Sequence, residues 1–187
     1  MVAHELPKLT VGVRFPSPAL LIWTLFIITS AFYMRQILNF LFSNIGKTGV
    51  GVILLILFLG VGIILFLRIL KKGFPFWRII LFITVLSLGY IYALKMRILE
   101  EKVHLIKYGL LGVLAINDFL KIGKKVYLSI LLSLLYVLIV SSIDETVQYF
   151  LPYRVGDLRD IGFAVIGGVW GIGLYMSVRD KVEEGED

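Results

Sequence analysis

The sequence predicts an all-α fold, a polytopic transmembrane helical bundle of about six spans, and three observations carry that reading. Hydrophobic residues make up 59% of the chain and charged residues 17%, against roughly 45–50% and about 25% in ordinary globular domains. A core able to hide such a fraction does not fit in a soluble chain of 187 residues, because buried area grows too slowly with length. The apolar residues are gathered in blocks without the alternation of barrel strands. In lipid every backbone polar group must be satisfied within the segment, so the blocks are helices.

Six blocks approach the roughly 20 residues a span needs: about 18–34, 49–70, 75–94, 104–119, 126–149 and 160–177. The first follows "FPSP", where prolines and Ser17 make a start signal, and it ends at Arg35. Its apolar run exceeds a usual signal-peptide core and no small-x-small cleavage site follows, so it reads as a span. The second, "GVGVILLILFLGVGIILFL", is the cleanest. The fourth, "HLIKYGLLGVLAINDFL", is the weakest, with His104 and Lys107 at one end and Asn117 and Asp118 at the other. Short connections between the later blocks imply antiparallel neighbours. The chain therefore divides into an N-terminal cytoplasmic segment (1–17), three transmembrane helices (18–94), a second transmembrane region (95–178) and a charged tail (179–187).

Orientation follows from the distribution of Lys and Arg. Six spans place eleven of them on the side of both termini and eight on the other, so the termini are expected in the cytoplasm of a multi-pass cell-membrane protein. The net charge of +6 falls mostly between apolar blocks and suits anionic lipid headgroups. No basic face with interleaved aromatics is present, which excludes nucleic acid as a partner. The absence of cysteine excludes disulfides, thiol chemistry and thiolate metal sites.

With this topology "EEKVHLIKY" and "DETVQYFLPYRVGDLRD" share the outer side. His104, Lys107 and Tyr108 fall on one face of the fourth span, Glu145 and Gln148 on one face at the end of the fifth, and Asp157 and Asp160 open the sixth. Asp157 suits an N-cap and Asp160 the first helical turn, near the positive end of the dipole. Glu145 stands out, because an ionisable group inside a span is costly and usually faces the bundle interior. Arg154, after Pro152, is expected to fold back over the fifth helix toward Glu145, with Gln148 donating from one turn along and Asp160 holding the guanidinium. Gly167 and Gly171, with Ala164 and Gly168 alongside, give the sixth span a face for close helix contact.

"EKVHLIKYGLLG" and "ETVQYFLPYRVGDLRD" resemble two segments of VanZ-like membrane proteins: an acidic–Lys pair before a His and, four residues later, a Tyr; then Glu-x-x-Gln, an apolar pair, Pro-x-Arg and an Asp starting the last span. The resemblance covers roughly 101–171 and makes 95–178 a VanZ-like region. It implies site roles for Lys102, His104, Tyr108, Glu145, Gln148, Arg154 and Asp160. It also implies a part in how glycopeptide antibiotics (the family is named for low-level teicoplanin resistance), cell-envelope precursors or envelope lipids behave at the outer leaflet. One position departs: the family's Asn, a turn after that Asp, is Ala164 here.

Two classes of function follow. In the first, Lys102, His104, Lys107, Arg154 and Arg159 form a cationic rim that binds or shields an anionic lipid or envelope group, oriented by Glu145 and Asp160. In the second, a membrane enzyme uses Glu145 and His104 for acid–base chemistry, with Asp160 as a further candidate. His104, Glu145 and Asp160 are the ligands a hydrolytic metal would use, but one histidine is a sparse set, so no metal or other cofactor is expected. A transporter is disfavoured by the lack of an inverted repeat.

Overall fold

The computed structural model describes residues 16–96, 98–123, 125–152 and 157–180. Among them lie five helices long and apolar enough to cross a membrane: α1 (Pro18–Lys71), α2 (Phe76–Lys95), α3 (Leu99–Lys121), α4 (Val126–Tyr149) and α5 (Leu158–Val178). The start signal of α1 works as its residues suggest. Ser17 caps the helix through a hydrogen bond from the Leu20 amide (3.3 Å), and Pro18 occupies the first turn, where a missing N–H does no harm.

The expected first and second spans are joined, which corrects the break expected at Arg35. Helix continues through 35–45 because Ile37, Leu38, Phe40, Leu41 and Phe42 maintain an apolar surface. It breaks at Gly46, with φ 72° and ψ 163°, a conformation essentially confined to glycine. A straight helix of 54 residues would run about 80 Å, far beyond a hydrocarbon layer of roughly 30 Å. Instead both ends of α1 lie at one end of the bundle. The Ser17 amide donates to Asp118 near the end of α3 (2.6 Å), and Lys72 donates to Asp180 just beyond α5. The ends of α3 and α5 are themselves joined there by a hydrogen bond from Tyr175 to Asn117 (3.1 Å). So α1 doubles back about Gly46 and passes twice, and the five helices keep the six-pass arrangement.

Helix α3 is the centre of the bundle. In its apolar stretch 56% of residues are buried, against 11% in α1. That explains why its sequence is the least apolar: a helix wrapped by protein can carry polar side chains that lipid would reject. The most extensive helix contact is α3 against α5, and it is backbone on backbone. A Cβ at Gly112 would come 2.6 Å from the Gly168 carbonyl oxygen, one at Gly167 2.7 Å from that of Leu105, and one at Gly171 would overlap that of Gly109. The glycine face expected on the last span thus meets a matching face, Gly109 and Gly112, on α3.

Candidate functional site

Because α3 and α5 run parallel and α4 antiparallel between them, the start of α3, the end of α4 and the start of α5 meet at one end of the bundle. Two clusters form there. In the deeper one, the Lys107 ammonium (2.8 Å) and the Tyr108 hydroxyl (2.7 Å) both donate to Oδ2 of Asp144, whose side chain is wholly buried. Its other oxygen, Oδ1, is buried without a hydrogen-bond partner among the described residues. The Tyr108 ring stacks on His104, with centroids 5.9 Å apart, linking this cluster to the next.

Nearer the end lie His104, Glu145, Gln148 and Asp160. His104 Nε2 is 3.7 Å from Glu145 Oε1, and Gln148 donates to that same oxygen (3.2 Å). The Asp157 amide donates to Glu145 Oε2 (3.1 Å), so both carboxylate oxygens are held. Ligand atoms of His104, Glu145 and half-buried Asp160 all lie within 4.8 Å of one another. Asp157 caps α5 by accepting from the Arg159 amide (2.9 Å). The Arg159 guanidinium grips the other oxygen of Asp157 (2.8 and 2.6 Å) and, with that amide bond, holds the Asp157 carboxyl below the usual carboxylate range.

Of the residues singled out from sequence, the structure gathers His104, Lys107, Tyr108, Glu145, Gln148, Asp157 and Asp160 at this end. Lys102 sits on the first turn of α3, partly exposed, with no ion pair to the cluster among the described residues. Arg154 lies outside the described residues, and with it the expected pairing to Glu145. Ala164 is buried in the core beside Tyr108 and Val137. An apolar methyl thus stands where an amide would have faced the cluster.

Asp144 was missed, although it holds the deepest charge. The signal was there: Ser129, Ser133, Val137, Ser141, Asp144 and Gln148 recur every three or four residues along α4, and all are buried. Sequence reading also missed a cleft of about 380 Å³ beside the cluster, lined by Tyr92, Lys95, Ile98, Glu101, Arg159 and Phe163. It needed α2, which carries no motif. A hollow of about 430 Å³ on α4 is lined by residues of that helix alone, none of them ionisable.

The clusters use residues from both segments that carry the VanZ-like resemblance. Neither a curated protein nor a solved structure matches the chain. A family model described as VanZ/LLP1 matches residues 13–179, well beyond 101–171 and including α1 and α2. The chain belongs to the VanZ/LLP1 family.

Proposed function

We propose that this membrane protein binds the anionic head of a lipid or lipid-linked envelope group in the cleft between α2, α3 and α5, on the outer side of the cell membrane. The observation that carries the reading is the lining of that cleft. Exposed Lys95 and Arg159, which outnumber the one carboxylate of the lining, Glu101, stand with an apolar floor of Tyr92, Ile98 and Phe163 beside the His104–Glu145–Asp160 cluster. Such a lining suits a molecule with a charged head and an apolar body. The exposed Arg159–Asp157 pair costs little to open, which frees a guanidinium for a bidentate grip on phosphate. Lys107, counted in sequence as a rim cation, is instead a buried partner of Asp144, so among the described residues the cations of the cleft are Lys95 and Arg159.

Lys107 no longer counts among the loop cations of the site's side, and buried Arg78 no longer counts at the opposite end, so the excess of Lys and Arg on the side of the termini is unchanged. A reporter fused after Asp187 is expected to be active in the cytoplasm; activity only outside the cell would reverse the assignment.

The lipid reading is tested by retention of phosphatidylglycerol on the purified protein, followed by native mass spectrometry. At about 1 kcal/mol per cation near a surface, Lys95→Ala and Arg159→Ala should each weaken retention about fivefold. Unchanged retention in the double variant would refute the reading. The second reading, acid–base catalysis by His104 and Glu145, is favoured by their 3.7 Å approach. It is distinguished by turnover: a bound lipid that is chemically altered over time, and is not altered with Glu145→Gln.

A further inference from the structure

The protonation of His104 points to what the cluster holds. Its Nδ1 is 3.1 Å from the Glu100 carbonyl oxygen, which can only accept a hydrogen bond, so Nδ1 carries the proton. In the neutral ring Nε2 is then a bare lone pair. His104 is 6% exposed, and Nε2 has no hydrogen-bond partner among the described residues. It faces Glu145 Oε1 at 3.7 Å, one acceptor opposite another. A second carboxylate, Asp160, adjoins them. Two acidic groups, one buried and one half-buried, and an imidazole nitrogen that is bare in this neutral tautomer lie within 4.8 Å of one another, an arrangement that a positive charge between them would satisfy.

We propose that His104 Nε2, Glu145 and Asp160 form a binding site for one divalent transition cation of the zinc or manganese type. Two ligands at about 2.0–2.2 Å from such an ion lie at most about 4.4 Å apart. The 3.7 Å pair already fits, and the widest separation allowed by the 4.8 Å cluster needs only a small side-chain turn. The surroundings are those a metal ligand set requires. An N–H to a backbone carbonyl fixes the tautomer and orientation of a ligating histidine, and hydrogen bonds fix a ligating carboxylate. Here Glu100 does the first, and Gln148 and the Asp157 amide do the second. One imidazole with two carboxylates matches a cation of intermediate hardness. Three protein ligands leave coordination positions open, as in reactive rather than structural sites. Lys107 does not compete for the carboxylates, because Asp144 holds it. The sequence expectation of no metal rested on a single histidine being a sparse set; the ligands proposed here are the same three residues, brought within 4.8 Å of one another from three helices.

The probe is the bare cation, so the test stands apart from the lipid reading. Full-length protein in detergent, stripped with chelator, is titrated with Mn²⁺ while the electron paramagnetic resonance of the free ion is followed, and then competed with Zn²⁺. Saturation at one ion per chain is expected. His104→Ala and Asp160→Asn should each weaken it about tenfold or more, whereas Asp180→Asn at the opposite end should leave it unchanged. Asp160 is half-buried and at a helix start, so Asp160→Asn is the variant expected to keep the parent's melting temperature. The proposal is overturned by any of three results: no saturable binding up to the millimolar range, binding that the His104 and Asp160 variants do not affect, or histidine-nitrogen NMR showing both His104 nitrogens protonated and unmoved by Zn²⁺. Lipid retention measured on chelator-treated protein separates this failure from failure of the lipid reading.

Discussion

Asp144→Ala is expected to destabilise the bundle by about 3–5 kcal/mol, because it strands a buried ammonium rather than removing a bond from the surface. Lys107 is 6% exposed, and its ammonium donates to Asp144 on α4, so without that carboxylate it is a buried charge with no ion-pair partner among the described residues. At roughly 2–4 °C per kcal/mol for a chain of this size, the melting temperature in detergent should fall by about 6–20 °C. Removing both charges is the discriminating control. Lys107→Met with Asp144→Leu should recover most of the loss, since apolar groups of similar volume replace a buried pair at little cost. Tyr108→Phe, which deletes only a hydroxyl donor, should cost about 1 kcal/mol. If Asp144→Ala melts like the parent, the pair is not a charged one.

Gly171→Leu is expected to prevent assembly altogether. Overpacking an ordinary core costs about 1–3 kcal/mol because neighbouring side chains can shift. At Gly171 the obstacle is the Gly109 carbonyl oxygen, and a backbone cannot turn aside without moving α3. Gly112→Leu meets the Gly168 carbonyl oxygen and should behave alike. The control is Gly60→Leu, where a new Cβ meets nothing within 4 Å. Size-exclusion chromatography of fluorescently tagged protein reads the result: a single sharp peak for Gly60→Leu, and aggregate or no peak for the other two. A monodisperse Gly171→Leu would mean that α3 and α5 do not meet on their glycine faces.

How legible the molecule is in its sequence depends on which physics each part uses. Apolar blocks are written in composition, so the bundle and its six passes could be read directly. The Gly46 break was invisible, because Arg35 and Lys47 look like loop charges unless the apolar surface of 37–45 is followed between them. His104, Glu145, Gln148 and Asp160 could be gathered from helical spacing and a shared membrane side. Asp144 escaped because Glu145 beside it drew the same argument, and only the buried face of α4 tells the two apart. Lys95 escaped because a cleft is a property of three helices, and no periodicity in one of them records it.

The glycine contact also sets an order of events during synthesis. Helix α3 is the least apolar of the spans and relies on α5 to cover it, yet α5 is made after it. The partners Gly109 and Gly171 are separated by roughly 60 residues, which at about 5–20 residues per second amounts to some 3–12 s of waiting. His104 and Lys107 meet Glu145 and Asp144 once α4 is made, but through the rest of that interval the glycine seam of α3 has no final neighbour. Helix α3 therefore waits, first beside α1 and α2 and then beside α4, until α5 arrives. The step that closes the bundle around α3 is the arrival of α5.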